Sequence, residues 1–496
     1  MLSVIDTRPH PPLPARLNLA KHVLAQGQPE KTALVILHPD GEESFTYARL
    51  RALVFGCATH LLSLGLSPGD RVLLRLANGP AFPVAFLGAI AGGLVPVPTS
   101  AALTAAEVAR LAPLVSPRLT LADPGLPLPE GVPSLAPDLA LWESMPSHSP
   151  AGTDPNAEAY VIFTSGTSGQ PSAVSHAHRA ILARAAMHQG WEGLTTADRL
   201  LHAGAMNWTY TLGTGLMDPW TLGATALVPA PGTPATDLPD LLRRSHATIF
   251  AAAPGVFRQM LRAPVPPLPA LRHALSAGEA LPATTRAAWE KATGTEVHEA
   301  LGMTEVSTYL SGSPCRPAPQ GTAGYVQQGR HVAILDDRGQ PTPRGESGEL
   351  AVATTDPGLM RGYLGEAPPQ GPWFRTGDAA VMAPDGAITH LGRKDDLLNA
   401  GGFRVSPTEV EAAFHDLPGL LACAAAEVEP TPGTRIIALF YEGPCAIDET
   451  VLRQRAETAL ARWKQPRHYQ HIASLPRTAT GKLTRRALAT QFRSPE

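Results

Sequence analysis

The sequence is poor in cysteine and has almost no net charge. It holds four cysteines among 496 residues, and they form neither a C-x-x-C pair nor a group with histidine at metal-ligand spacing. Scattered thiols of this kind argue against a disulfide framework and are typical of reduced cysteines in a cytosolic protein. The cysteines are Cys57, Cys315, Cys423 and Cys445.

Charged and apolar residues are also mixed along the chain, without long runs of either. Lysine and arginine number 40 against 43 acidic residues, giving a net charge of -3. This balance gives no indication of a basic surface that would bind nucleic acid or an anionic membrane. No uncharged apolar stretch is long enough to span a bilayer, and residues 1–6 lack the pattern of a signal peptide. We therefore expect a cytoplasmic protein without nucleic-acid or membrane partners, either a monomer or a homodimer.

The apolar pattern predicts an α/β protein of several packed units, because 496 residues exceed one ordinary core. Helical and strand spacings alternate in the first half of the chain, as in βαβ units. Short strands and turns begin near Gly321 and predict a small distorted barrel or sheet. The predicted helices are 50–64, 81–91 and 238–244, and the predicted strands are 71–76, 94–97, 226–228, 247–251, 332–335, 348–352 and 387–391.

A compact α+β pattern of about a hundred residues follows Arg393. Its start at Lys394-Asp395 is charged and polar, as hinges between domains often are. The expected organisation is a large N-terminal domain at 1–393 and a small C-terminal domain at 394–496. The large domain should contain two α/β sheet subdomains and the distorted β-barrel.

One loop, at residues 164–169, has the composition of a phosphate-binding loop. It follows the β-rich run 159–163 and alternates hydroxyl side chains with glycine. Glycine permits positive φ and close backbone approach, and the hydroxyls add donors to a set of backbone N–H groups. A surface turn between strands would explain the loop equally well if it stood alone. The loop residues are Thr164, Ser165, Gly166, Thr167, Ser168 and Gly169.

Five further motifs follow this loop in a fixed order, at 276–282, 301–305, 373–378, 391–407 and 475–483. With them, nearly the whole chain resembles the acyl-adenylate-forming superfamily, which includes acyl-CoA synthetases, peptide-synthetase adenylation domains and firefly luciferase. The segment 213–225, the 276–282 motif and the non-aromatic Leu301 resemble the benzoate–CoA ligase branch. The loop departs from the family pattern, because Ser172-Ala173 stands where Lys-Gly is usual and a lysine charge near the leaving pyrophosphate is missing.

The resemblance implies that ATP, Mg²⁺ and coenzyme A are bound. Loop 164–169 would hold the β- and γ-phosphates, and Glu305 would bind Mg²⁺ beside Thr304 at the α-phosphate. Asp378 would accept hydrogen bonds from the ribose hydroxyls, and Arg393 would reach ribose or phosphate. The remaining implied nucleotide-site residues flank adenine and the acyl pocket: Ala277, Gly278, Glu279, Leu301, Gly302 and Met303.

The resemblance also implies a second half-reaction on a mobile C-terminal domain. Lys482 would bridge the acid carboxylate and the α-phosphate as charge builds there. The domain would then rotate about Asp395 and bring Gly402 and Arg404 to the thiol of coenzyme A. Taken alone, each motif has a plainer interpretation: Thr304 with Glu305 suits a helix N-terminus, Asp378 a solvated turn and Lys482 the protein surface.

The acid-binding pocket is the least defined site in the sequence. Trp208, Tyr210 and Met303, with Ala277 and Gly302, could bound a compact pocket for a small aryl or short- to medium-chain acid, or could equally be core residues. The leading hypothesis is an ATP-dependent carboxylic acid–CoA ligase. The alternatives are a stand-alone enzyme that loads a carrier protein and a non-catalytic nucleotide-binding relative. The retained Glu305 and Lys482 argue against the last.

Overall fold

The computed structural model describes residues 1–7, 12–165, 171–394, 398–400, 403–431, 434–477 and 483–492. The first strands are β1 (Val4–Asp6), β2 (Thr32–His38), β3 (Gly41–Thr46), β4 (Arg71–Arg75), β5 (Val95–Pro98), β6 (Leu119–Ala122), β7 (Ser134–Leu135), β8 (Glu158–Ser165), β9 (Pro171–Ala177), β10 (Arg199–His202), β11 (Thr225–Pro229), β12 (Ile249–Ala252) and β13 (His273–Ala277). The later strands are β14 (Val297–Met303), β15 (Ser307–Ser311), β16 (Tyr325–Val326), β17 (His331–Leu335), β18 (Ser347–Ala353), β19 (Gly362–Tyr363), β20 (Trp373–Met382), β21 (Ile388–Arg393), β22 (Leu398–Ala400), β23 (Phe403–Val405), β24 (Ala422–Thr431), β25 (Thr434–Glu442) and β26 (His468–His471).

The α-helices lie between these strands. They are α1 (Leu19–Val23), α2 (Tyr47–Ser63), α3 (Ala81–Ala91), α4 (Ala105–Val115), α5 (Leu139–Ser144), α6 (Ala180–Gly190), α7 (Thr209–Leu212), α8 (Asp218–Leu222), α9 (Leu238–Arg244), α10 (Pro254–Met260), α11 (Ala283–Thr293), α12 (Pro407–Ala412), α13 (Glu449–Ala459) and α14 (Arg485–Gln491). A π-helical turn, Gly213–Met217, joins α7 to α8. Short 3-10 turns lie at Ala235–Asp237 and Arg462–Lys464. No helix in the described ranges combines the length and apolarity that crossing a bilayer requires.

The largest sheet has nine strands in the order β16-β15-β14-β13-β12-β10-β11-β2-β3. Its six central strands, from β14 to β2, run parallel, and antiparallel strands close both edges. Parallel central strands are buried on both faces by helices, which explains their nearly continuous apolar sequences. The carboxyl ends of these strands therefore meet at one edge, where β13 and β14 deliver their last residues.

The second α/β unit is a smaller parallel sheet in the order β5-β4-β6-β7. Its strand β5 packs beside β8, which forms a hairpin with β9. Helix α3 is apolar on all sides and lies wholly buried against α2. A Cβ at Gly88 would lie 2.8 Å from the Cys57 Cβ, so glycine is required for this close approach.

The remaining sheets follow the later part of the chain. Strands β1, β17, β18, β20 and β21 form a five-stranded antiparallel sheet, the distorted barrel-like unit expected from the sequence. Near the C-terminus, β24-β25-β26 form a three-stranded sheet beside α12, α13 and α14, and β22 pairs with β23. The predicted multidomain α/β class is confirmed. The division at residue 393/394 stays a prediction.

Several histidines are buried in surroundings that disfavour their protonated form. Their pKa values fall from 6.5 to between about 3 and about 4, because burial disfavours the imidazolium form. His178, for example, accepts a hydrogen bond from the Leu19 backbone N–H on Nδ1, at 3.1 Å, which requires the unprotonated nitrogen. The residues are His176, His178, His202 and His298.

We expect the free energy of unfolding to fall as the pH is lowered from about 6.5 toward about 4. A folded pKa below the unfolded value means that the unfolded state binds more protons in this window. Glu192 and Glu299, whose pKa values burial raises, oppose the trend but are fewer. Urea unfolding at pH 7.5 and pH 5.0 should show a loss of more than about 2 kcal/mol. A loss that begins only below pH 4.5 would assign the effect to carboxylates instead.

Candidate functional site

The turn that carries Thr304 and Glu305 joins two antiparallel strands of the large sheet. Strand β14 ends at Met303, and β15 begins at Ser307. The register shifts at Leu301/Gly302, and a Cβ at Gly302 would lie 2.7 Å from the Ser307 carbonyl oxygen. Glycine is therefore required at position 302, where the backbone of β15 passes very close. The alternative interpretation of this motif as a helix N-terminus is wrong, because the chain reverses into a strand.

Glu305 is almost fully buried and is held at both its backbone and its side chain. Its Oε1 accepts a hydrogen bond from the Tyr363 hydroxyl at 2.8 Å, and its carbonyl oxygen accepts from the Met360 N–H at 2.7 Å. Burial raises the pKa of Tyr363, and the Glu305 carboxylate adds to the shift, so the hydroxyl stays a donor. One carboxylate oxygen is thus fixed by tyrosine, and among the described residues no hydrogen bond to the other oxygen is found.

Asp378 and Arg393 face each other across two strands of the five-stranded sheet. They are register partners on β20 and β21, and an Arg393 guanidinium nitrogen lies 3.4 Å from the Asp378 Oδ1. His390 Nε2 lies 3.3 Å from the same oxygen. Burial disfavours the charged carboxylate, but His390 and Arg393 outweigh it and lower the pKa of Asp378. The alternative of a solvated turn is wrong, since Asp378 is a buried strand residue only 7% exposed.

Tyr309 connects the Glu305 turn with this carboxylate. It lies on β15, is fully buried, and belongs to an apolar cluster shared by residues of β15, β17, β18 and β20. Burial raises the pKa of its phenol, and the fields of Asp378 and Glu305 raise it further. Glu305 and Asp378, 73 positions apart in sequence, therefore both lie close enough to this phenol for their charges to act on it.

The segment after β13 is exposed at Gly278 and Ala280 and lies beside strand β14. Ala277 ends the strand, and Gly278 follows with φ of 99°, a left-handed conformation that favours glycine. The Glu279 carboxylate lies 3.8 Å from guanidinium nitrogens of both Arg258 and Arg477. The segment provides a backbone turn and a paired carboxylate at the carboxyl edge of the sheet.

The hydroxyl-rich loop connects the two strands of the β8-β9 hairpin. Thr164 and Ser165 end β8, opposite Ser172 and Pro171 of β9. Gly166, Thr167, Ser168 and Gly169 lie outside the described residues. The described part therefore shows a hairpin on both sides of the loop, with Ser172 directly opposite Thr164.

The predicted acid-pocket residues separate into two groups. Tyr210 packs against the apolar cluster that contains Ala277, and its hydroxyl donates to the Leu275 carbonyl oxygen at 3.2 Å. Met303 instead packs against the cluster around Tyr309. Half-buried Trp208 precedes α7 at its N-cap position, without a side-chain hydrogen bond to the helix.

A small cavity lies between α7 and the Thr304 turn. Its lining includes Thr209, Leu212, Arg184, His176, Thr304 and Ser307. The segment that carries Trp208 and Tyr210 thus reaches the Thr304 turn.

The predicted residues of the second half-reaction are described only in part. Arg404 lies on β23 and pairs in register with Asn399 of β22. Asp395, Gly402 and Lys482 lie outside the described residues. Their roles stay predictions.

A metal ion at this site would depend on few protein ligands. Among the residues with described placement, no group of three or more His, Cys, Asp or Glu side chains is arranged to hold a metal. Mg²⁺ is commonly bound through one or two carboxylates, with substrate phosphates and waters completing the shell. The Glu305 carboxylate, with one oxygen fixed by Tyr363, fits that pattern.

Three contributions to the site were not evident from the sequence. Tyr363 holds Glu305, His390 faces Asp378, and Arg184 contacts Ser307. The spacing of Asp378 and His390, twelve residues apart on adjacent strands, could have suggested their pairing. Nothing in the local sequence marks Tyr363 or Arg184.

The comparison with protein families identifies the class of protein. The model of the family described as "AMP-binding enzyme" matches residues 22–364. The chain therefore belongs to the AMP-binding enzyme family, as its motifs indicated. It is an adenylate-forming enzyme of the acid–thiol ligase class, to which the acyl-CoA synthetases belong.

Individual relatives are similar in sequence to this protein over nearly its full length. It is 31% identical to the benzoate–CoA ligase of Thauera aromatica, over 98% of each protein. It is 30% identical to a 4-hydroxybenzoate–CoA/benzoate–CoA ligase of Rhodopseudomonas palustris, over 95% of this chain and 93% of the relative.

Among solved structures, an anthranilate–CoA ligase in complex with anthranoyl-AMP has a TM-score of 0.87 at 26% identity, over 97% of this chain and 98% of that one. A benzoate–CoA ligase from Burkholderia xenovorans LB400 has a TM-score of 0.83 at 27% identity, over 95% and 99%. The resemblance to the benzoate–CoA ligase type is confirmed.

Proposed function

We propose that this protein is an ATP-dependent ligase that joins a small aryl carboxylic acid to coenzyme A. The observation that carries the proposal is a pair of buried, held carboxylates: Tyr363 donates to Glu305, and Arg393 and His390 face Asp378. Tyr363 holds one oxygen of Glu305, whose other oxygen would face a metal, and the lowered pKa of Asp378 favours the ionised form that accepts from hydroxyl donors. This pair suits a nucleoside triphosphate, with Asp378 to accept from the ribose and Glu305 to hold a metal ion that would bind the phosphates.

The first step we propose is formation of an acyl-adenylate. A carboxylate oxygen of the acid attacks the α-phosphorus of ATP, and the α–β phosphoanhydride bond breaks as pyrophosphate leaves with the bonding electrons. Asp378 accepts hydrogen bonds from the ribose, and Arg393 adds a donor. Thr304 would lie at the α-phosphate and Lys482 would balance the growing charge. Glu305 would hold Mg²⁺, which would supply charge neutralisation at the phosphates.

The second step transfers the acyl group to the thiol. The thiolate sulfur of coenzyme A attacks the acyl carbon, the acyl–phosphate bond breaks, and AMP leaves. We propose that the region 394–496 rotates about Asp395 between the steps, so that Gly402 and Arg404 replace Lys482 at the site. The two steps need different groups, because one forms a bond to phosphorus and the other a bond to carbon.

The proposed substrate is an aryl acid without a second negative charge. Tyr210 packs with Ala277 on an apolar face, which suits a flat ring. Arg184, a cation lining the cavity beside α7, is already paired with Asp218, which disfavours a dicarboxylate. The relatives named above act, by their names, on benzoate, 4-hydroxybenzoate and anthranilate.

The test is pyrophosphate release with ATP and Mg²⁺ over benzoates, hydroxybenzoates, aminobenzoates, fatty acids and small dicarboxylates, each with and without coenzyme A. We expect a coenzyme A-dependent signal that is strongest for benzoate itself or for a hydroxybenzoate, neither of which carries a second charge. A preference for a fatty acid or dicarboxylate would overturn the substrate class. A slow signal that ignores coenzyme A would point to a carrier-protein acceptor, and no release with any acid would favour a non-catalytic relative.

Replacing Tyr210 by alanine should reduce kcat/KM for the best benzoate by at least about tenfold, because the ring that bounds the pocket is lost. The kcat/KM for larger acids should fall less, so the ratio of their kcat/KM to that for benzoate should rise. Tyr210→Phe is the matched variant: it keeps the ring and removes only the hydroxyl bound to Leu275, and it should cost far less. Equal losses for small and large acids would show that Tyr210 supports the fold and not the pocket.

A further inference from the structure

Arg184 forms a buried ion pair beside the Thr304 turn. It projects from α6, and its Nε donates to Asp218 Oδ1 at 2.8 Å while a terminal nitrogen donates to Asp218 Oδ2. The side chain of Arg184 is 6% exposed and that of Asp218 is fully buried. Burial opposes the charged form of Asp218, but Arg184 and His188 outweigh it and hold the pKa of that carboxyl far below its usual range.

The other end of the guanidinium contacts the residue that follows the Thr304 turn. A terminal nitrogen of Arg184 donates to the Ser307 hydroxyl, and Ser307 is the first residue after the turn that carries Thr304 and Glu305. The guanidinium also lies against Gly213, where an added Cβ would come 2.1 Å from its central carbon. Arg184 therefore bridges the π-helical turn Gly213–Met217 and the start of β15.

Three unfavourable features coincide at this bridge. A buried ion pair is a poor source of stability, a π-helical turn is rare, and a serine with positive φ is strained. In the described part of the chain, Ser116, His246 and Ser307 are the non-glycine residues with positive φ, and the first two follow helix ends. Ser307 has φ of 72° at the start of a strand, directly beside the turn.

We propose that Arg184 is a positioning residue, whose guanidinium, fixed by Asp218, holds Ser307 and thereby orients the turn that presents Glu305 to metal-bound ATP. The proposal rests on the proposed function, in which that turn binds MgATP. Asp218 begins α8, which continues the helical segment that starts at Thr209. The bridge therefore also joins the Thr304 turn to the segment proposed to form the wall of the acid pocket.

The test is the affinity for MgATP, measured by calorimetry without any acid, and the affinity for ATP in EDTA. Ser307→Ala removes the hydroxyl that Arg184 holds. The double variant Arg184→Met/Asp218→Leu removes both buried charges, so that neither is left unpaired. The matched control is Ser311→Ala, a buried serine on the same strand whose hydroxyl instead donates to the Gly190 carbonyl oxygen of α6 at 3.1 Å.

We expect Ser307→Ala and the double variant to lose about tenfold or more in MgATP affinity, with ATP binding in EDTA changed less than about twofold. The control should keep the wild-type affinity, and the thermal midpoint of Ser307→Ala should stay close to that of the wild type. Where an acid supports turnover, kcat for pyrophosphate release should fall in the same variants, with little change in KM for the acid.

The proposal is overturned if Ser307→Ala binds MgATP like the wild type, or if affinity falls equally with and without Mg²⁺. It is also overturned if the control shows the same loss. The Ser307→Ala arm decides the outcome even if the double variant does not fold. If the wild type binds MgATP but releases no pyrophosphate with any acid, the proposed function fails and the metal-selective loss still supports the positioning role. A wild type that binds no MgATP overturns both.

Discussion

Replacement of Lys482 by alanine should lower adenylate formation by at least about a hundredfold while leaving thioester formation from preformed acyl-AMP nearly intact. The ammonium group is proposed to stabilise charge that develops between the acid carboxylate and the α-phosphate, and loss of one such group costs this much in comparable sites. The second step forms no bond to phosphorus, so it does not need the group. The measurements are pyrophosphate release for the first step and single-turnover thioester formation for the second.

A matched control for this variant lies in the same part of the chain. Lys464 pairs with Glu409 on the protein surface, and Lys464→Ala removes the same ammonium group. It should change both steps by less than about twofold, since an exposed ion pair contributes little. Equal loss of both steps in Lys482→Ala would contradict a role confined to adenylate formation, and with it the rotation about Asp395.

Replacing Glu305 by glutamine should reduce pyrophosphate release by about a hundredfold and raise the Mg²⁺ concentration needed for half-maximal rate. The substitution keeps the size of the side chain and an oxygen that can still accept from Tyr363, but it removes the charge that would face the metal. High Mg²⁺ should restore part of the rate, because the phosphates can still bind the ion. The measurement is the rate as a function of Mg²⁺ at saturating ATP.

The comparison for this variant is Glu366→Gln, the same chemical change at an exposed position a few residues beyond Tyr363. It should leave the Mg²⁺ dependence unchanged, because this carboxylate is exposed to solvent and does not belong to the turn. A Glu305→Gln enzyme with a normal Mg²⁺ dependence would show that this carboxylate positions the turn through Tyr363 and does not bind the metal.

Much of the fold followed from the sequence because it depends on local periodicity. The helices predicted at 50–64, 81–91 and 238–244 correspond to α2, α3 and α9, and the strands predicted at 71–76 and 247–251 correspond to β4 and β12. Apolar spacing marks such elements wherever one face is buried. The family was also identifiable, because six motifs stood in order.

The sequence was less able to describe the surroundings of its own motifs. Thr304 with Glu305 suited a helix N-terminus, whereas the chain reverses there between β14 and β15. Asp378 suited a solvated turn, whereas cross-strand pairing buries it beside Arg393 and His390. Both corrections depend on strand pairing, which adjacent residues do not determine.

The sequence by itself determined the α/β architecture through its apolar periodicity. It determined the class of enzyme and the residues proposed to meet ATP through motifs that resemble those of a known family. Only the tertiary structure decided that Tyr363 fixes Glu305 and that Arg184, paired with Asp218, reaches Ser307. The positions Arg184 and Ser307 are 123 residues apart. Their contact exists because packed helices and a strand crossing bring them to one buried point, and such an encounter has no signature in local sequence.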